Sequence, residues 1–208
     1  MTAPIRVAKR NDWAGSDPKL LHGELGQESD TAALKIGDGF TNWNKLPYFG
    51  CPGYWASFWD LTSQTAVANT PTTILLRSAD LDNSGISIAS NTTITFAYAG
   101  VYSITFSIQF TNSDTSIHDI NVWLRRNGTN VVASDSRFSI TSSHGGVDGN
   151  IIGTVNFVLK LAAADYLELI WATSNAAAYI HAEVAQTSPF VHPSIPGIIC
   201  TIVQVASA

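Results

Sequence analysis

The segment Val101–Phe110, VYSITFSIQF, alternates without a break. Tyr102, Ile104, Phe106, Ile108 and Phe110 fall on one side; Val101, Ser103, Thr105, Ser107 and Gln109 fall on the other. Successive strand side chains point to opposite faces, so the pattern predicts a strand with a strongly apolar inner face. Short runs of similar character surround it. TPTTILL, GISIA and TTITFAYAG precede it; HDINVWLRRNG, NVVASDSRFSI, IIGTVNFVLKL, DYLELIWATS and AAYIHAEVA come after it. Asn127-Gly128 between two such runs predicts a tight hairpin, because both residues tolerate a left-handed turn. LDNSG, TSSHGGVDGN and LAAAD read as further turns. Roughly eight to ten strands at regular spacing, with no long helix, predict an all-β sandwich or barrel.

The last strand, GIICTIVQVA, is apolar on both faces. Ile198, Cys200 and Ile202 share one, and Ile199, Val203 and Val205 share the other. Such a strand is expected to be covered on both sides. One face meets the core of a sandwich, and the other calls for a second subunit. Trp123 and Trp171 lie inside strand patterns and are assigned to the core rather than to sugar stacking.

The chain before residue 50 has a different texture. NDWAGSDPKLL predicts one helical turn near residues 12–16, capped by Asn11 or Asp12 and stopped at Asp17-Pro18. GELGQES and AALKIG predict two short strands joined at Ser29-Asp30-Thr31. IGDGFTNW then reverses the chain, with glycine supplying positive φ. So few aliphatic residues do not make a sufficient core, so this part needs a partner. The aromatic stretch YFGCPGYWASFWDL is expected either at an interface or as the first strand of the β-rich remainder.

Charge sharpens that division. Of 208 residues only 13% are charged, about half the usual share, which suggests that much of the surface is covered. Residues 1–49 hold six basic and six acidic groups; the rest hold five and ten, and carry the whole formal charge of −5. The expected units are therefore a module at 1–49 and a head at 50–208. The acidic balance argues against nucleic-acid binding, which needs a basic face. No run is long and apolar enough for a membrane span, and no secretory leader is read.

Candidate chemistry is sparse. The five histidines form no metal or protease spacing, and no nucleophile elbow or phosphate loop occurs. No cofactor and no metal are expected. Asp165 with Glu168, and Asp80 with Asp82, read as turn and surface groups rather than catalytic pairs. Cys51 and Cys200 could form one bridge, but Cys200 reads as a small buried hydrophobe. The sequence is accordingly read as having no catalytic activity. The polar loops Thr111–Asp119, Thr141–Asn150 and Ala172–Ala177 suit adaptable hydrogen bonding to sugar or protein. Their candidate binding residues are Asn112, Asp114, His118, Ser143, His144, Asp148, Asn150 and Asn175.

Two resemblances join these readings. Arg10, Trp13, Pro18, Leu20, Gly23-Glu24, Glu28, Asp30-Thr31, Lys35-Ile36-Gly37-Asp38-Gly39, Trp43 and Leu46-Pro47-Tyr48 keep the order and spacing of a known module. It opens many bacteriophage tail-fibre and tropism-determinant proteins. KRND stands where that family commonly has Arg-Gly-Thr. FAYAGVYSITFSI, VWLRRNGTNV, VLKLAAADYLELIW and IPGIICTIVQV are similar to the trimeric jelly roll of the tumour necrosis factor superfamily and the complement globular head. Together they imply a homotrimeric virion protein of tail-fibre or receptor-binding type, made in the bacterial cytoplasm. Its module would attach to other virion proteins, and its head would display loops to a host-surface glycan or protein. The alternatives are a capsid or tail fibre, decoration or adaptor protein without a receptor role, and a polysaccharide-depolymerase subunit.

Overall fold

The computed structural model describes residues 5–49 and 53–207, so Cys51 lies outside the described residues. Among the described residues, sixteen strands run in order. They are β1 (Ile5–Ala8), β2 (Leu25–Glu28), β3 (Leu34–Ile36), β4 (Trp55–Asp60), β5 (Thr72–Thr73), β6 (Ser78–Ala79), β7 (Ile86–Ala89) and β8 (Thr93–Phe96). The rest are β9 (Gly100–Asn112), β10 (His118–Arg126), β11 (Thr129–Asn130), β12 (Ser136–Ile140), β13 (Gly149–Leu161), β14 (Tyr166–Thr173), β15 (Ala178–Ile180) and β16 (Ile198–Ser207). Two sheets form a sandwich, as expected of an all-β chain. One runs β13-β9-β16-β4-β6, with β15 also on β9; the other runs β11-β10-β14-β8-β7, with β12 on β10 and β5 on β14.

The alternating strand is the spine. Tyr102, Ile104, Phe106, Ile108 and Phe110 on β9 are all buried between the sheets. β16 lies antiparallel beside it and sends Ile198, Cys200 and Ile202 into the same core. Burial pushes the Cys200 thiol up to about 12, so it behaves as a small hydrophobe. Asn127 and Gly128 both take positive φ in the hairpin between β10 and β11. β14 turns Trp171 inward to zero exposure. Trp123 departs from expectation. Its neighbours Val122 and Leu124 enter the core, so alternation turns Trp123 to the outer face, where it is half-buried.

The outer face of the first sheet is nearly free of charge. Cross-strand partners put Val158, Ser103, Val203 and Trp55 in one row. Thr154, Ser107, Ile199 and Trp59 form a second, with Asn156, Thr105, Thr201 and Ser57 between them. Within the single chain Ile199 is 40% and Val203 48% exposed, so the second face of β16 is open rather than covered.

Residues before 50 have their own small sheet, β1-β2-β3, and their own buried cluster of Trp13, Leu20, Trp43 and Leu46. Trp13 and Trp43 stack at 4.1 Å, so Trp43 is enclosed by this chain itself. β1 pairs in parallel with β2 and has an exposed, non-alternating pattern that gives no strand signal. The helix spans Arg10–Ser16, two residues longer than expected at its start. Lys9 is the N-cap and makes no side-chain cap, while Asp30 accepts the Arg10 amide at 2.9 Å. In the Gly-Asp-Gly turn, Asp38 accepts the Phe40 and Thr41 amides at 2.8 and 2.7 Å and the Thr41 hydroxyl at 2.5 Å. Those bonds, the Thr41 hydroxyl first, hold its carboxyl at about 2. Gly37 is needed for space: a Cβ there would stand 2.2 Å from the Leu21 carbonyl oxygen. The Arg10 guanidinium lies 4.3 Å from the Tyr98 ring, beside the start of β9, and Tyr98 stacks on Tyr54 at 4.2 Å.

Candidate functional site

The three polar loops meet at one end of the sandwich. β9 ends at Asn112, which pairs with Gly149 at the start of β13 and with Ala178 on β15. The loops between β9 and β10, β12 and β13, and β14 and β15 therefore converge around one residue. Thirteen strand residues separate this end from the Tyr98 contact, a span of roughly 40 Å.

Hydrogen bonds stitch the loops together. The Ser143 amide donates to the Asp114 carbonyl at 2.7 Å, and the Ser113 amide donates to the Ala177 carbonyl at 3.1 Å. Asn112 has zero exposure, so it works beneath the loops. Its Nδ2 donates to the carbonyls of Ser116, Thr141 and Ile140 at 2.8, 3.2 and 3.4 Å, and its Oδ1 accepts the Asp114 amide at 3.0 Å. Asn112→Ala should cost about 1–3 kcal/mol, because buried carbonyls lose their donors. Hydrogen exchange of residues 113–117 and 141–148 should rise with it. Unchanged exchange there would show that Asn112 does not fasten the loops.

Asp114 and His118 face each other at 2.7 Å, Oδ2 to Nε2, and this bond holds the Asp114 carboxyl below the usual range. His144 and Val147 exchange backbone bonds of 2.9 and 3.1 Å across Gly145-Gly146, both at positive φ. The result is a tight exposed tip. Asp148 is exposed beside it, and Asn150 accepts the Thr111 hydroxyl at 2.5 Å. Asn175 accepts the Ala177 amide at 2.9 Å and shapes its own turn. His144 and Asp148 thus stand open at the tip, whereas Asn112, Asn150 and Asn175 are engaged in building the loops.

Sequence reasoning passed over Ile117 and Val147, which are 66% and 68% exposed within these loops. An apolar residue inside a polar loop was the available signal. It also passed over the half-buried Tyr179, whose hydroxyl is pushed up by burial and then by Asp148. Among the described residues, no group of three or more His, Cys, Asp or Glu side chains could hold a metal ion. The surface offers convergent hydrogen-bonding groups with apolar tips, set on a rigid strand framework.

No family model matches the chain. A hyaluronoglucosaminidase of Streptococcus pyogenes phage H4489A is 47% identical over 53 residues, which are 24% of this chain and 14% of that enzyme. The match thus spans about a seventh of the enzyme's length. The structure of Eiger TNF from S. frugiperda is similar with a TM-score of 0.48 and 13% identity, over 75% of this chain and 94% of that one. The phage match corrects the expectation of a chain without enzymatic character, since it relates the chain to a polysaccharide-degrading enzyme. Motif spacing misses such a relation when it runs through a short shared stretch rather than through a catalytic signature.

Proposed function

We propose that the protein is a bacteriophage particle component that engages the carbohydrate surface of its bacterial host as a homotrimer. One spatial arrangement carries the reading. The residues before 50 sit at one end of β9, the loop cluster at the other, and a nearly uncharged sheet face lies alongside. A projection built this way divides into a mounting module at 1–49, a head at 50–208 and a presented tip. The forty-residue resemblance to tail-fibre modules and the stretch shared with a phage protein favour the same setting. Three copies would let weak loop contacts act together, because linked sites raise the effective concentration of the next contact.

A second reading rests on the name of the phage relative. The chain would belong to a polysaccharide-depolymerising assembly, with hyaluronan as the first substrate to try. One experiment addresses both. Fluorescently labelled protein is incubated with a panel of Gram-positive bacteria headed by Streptococcus pyogenes, and reducing ends are assayed in the medium. Labelled cells without new reducing ends support attachment; new reducing ends support depolymerisation. Unlabelled cells throughout the panel, with no reducing ends released, would sink both readings.

A further inference from the structure

Trp123 is a large aromatic residue that the core does not absorb, on the sheet opposite the one whose outer face carries Trp55 and Trp59. β10 is hydrogen-bonded on both sides, to β14 on one and to β11 and β12 on the other, so its outer face is a fixed floor. Trp123 stands on that floor, with Ile170 as its cross-strand partner. Its Nε1–H donates to Asn130 Oδ1 at 3.0 Å, which locks the ring orientation. A shallow hollow of about 230 Å³ opens there, lined by Trp123, Asn130, Val131, Ala133 and Asp135.

Two more hollows continue it along the strand. One of about 350 Å³ shares Asn130 and Val131, runs past Arg126, Asn127 and Thr129, and turns to the edge of the sandwich, where Leu159 of the opposite sheet also lines it. The other, about 240 Å³, holds Asp119, Asn121, Arg137 and Ser174. It joins the centre through a 2.9 Å bond from Asn121 to Asp135. The row from Asp119 to Asn127 is roughly 25 Å long. Its walls are amides, hydroxyls, carboxylates and guanidiniums, and three of the head's five basic residues (Arg125, Arg126 and Arg137) lie along it. Arg137 and Arg126 sit 2.7 and 3.7 Å from Asp119 and Asp165, so the surface is mixed in charge.

We infer that this row is a binding track for a linear polysaccharide, with one pyranose ring seated on Trp123. An orientated indole offers a flat apolar surface to the C–H face of a sugar, and the surrounding amides and carboxylates match its hydroxyls. A peptide strand is disfavoured, because β10 has no free edge to extend. A nucleic acid is disfavoured by the formal charge of −5. The track lies on the sheet opposite the nearly uncharged face, so a trimer would carry three outward-facing copies. This inference rests on the host-carbohydrate reading and names the residues that would perform it.

Calorimetry with hyaluronan and cello-oligosaccharides of equal length tests it on the full chain. Trp123→Ala should weaken binding on the order of thirtyfold. Trp123→Phe should retain most of the affinity. Asn130→Ala, at an exposed position, should lose about threefold by freeing the indole N–H. Thermal melts of each variant separate lost binding from lost folding. Preference for hyaluronan identifies an acidic polymer, and preference for the cello-oligosaccharide a neutral one; both support the track. Binding of neither glycan, or wild-type affinity in both Trp123→Ala and Asn130→Ala, overturns it. Cells still labelled by these two variants would retire the track and leave the host-attachment reading standing; cells unlabelled by the wild-type protein would retire that reading itself.

Discussion

Val203→Asp should turn the protein into a folded monomer. Val203 lies on the outer face of the central strand β16, in line with Val158, Ser103 and Trp55, and is 48% exposed in the single chain. Aspartate there is solvated in a monomer and costs little beyond the weaker strand preference of an acidic residue, about 1 kcal/mol at most. In a homotrimer closed by this face the same carboxylate would be buried without a partner and near two copies of itself. Removing a charge from water without pairing it costs several kcal/mol, enough to dissociate an assembly of micromolar affinity. Sedimentation should therefore give a trimer for the wild-type chain and a monomer for the variant. Circular dichroism should be nearly unchanged. Attachment to cells should fall by roughly 10²–10⁴ if it depends on three linked sites. Val67→Asp, at a residue 73% exposed in a loop, is the control and should remain trimeric. A trimeric Val203→Asp protein, or a monomeric wild type, would reject the face as the interface.

Much of this layout was legible from alternation alone. β9 and β16 announced their faces because a period of two, sustained over long strands, has one interpretation. The Asn127-Gly128 hairpin was legible because its turn chemistry is local. Other features were hidden for identifiable reasons. β1 buries almost nothing, and its partner β2 runs parallel at a distance of twenty residues, which no local pattern encodes. The helix began early because Asp30, far along the chain, supplies the bond that a local cap would have made. Trp123 was misplaced although the signal was present. Ile120, Val122 and Leu124 define the inner face, so the phase of the strand turns Trp123 outward whatever its size. The loop candidates were found by composition, which cannot separate a residue that presents a hydrogen bond from one that consumes it. Asn112 and His144 look alike in a polar loop, yet one is sealed and the other open.

Gly149→Ala should be among the most damaging single-methyl changes in the head. A Cβ at Gly149 would stand 1.8 Å from the Thr141 carbonyl oxygen and 2.7 Å from its carbon. Backbone cannot swing aside as a flexible side chain can, and this carbonyl is also held from below by Asn112. Either the start of β13 or the base of the loop before it must move, and both are registered on Asn112. Overpacking typically costs about 1–3 kcal/mol, and a clash with fixed backbone belongs at the upper end, about 3 kcal/mol. For a chain of this size that is a fall of roughly 6–12 °C in melting temperature. Gly145→Ala provides the contrast. Its Cβ would meet nothing within 4 Å, and only the positive φ of 60° opposes it, a penalty of about 1–2 kcal/mol. Gly149→Ala should therefore disturb the whole loop cluster, and Gly145→Ala only the His144–Val147 tip. Equal melting temperatures for the two variants would mean that the loops rest on something other than the Asn112, Thr141 and Gly149 contact. A larger loss at Gly149 would establish that the presented surface is fixed at its base, where close backbone approach admits no side chain.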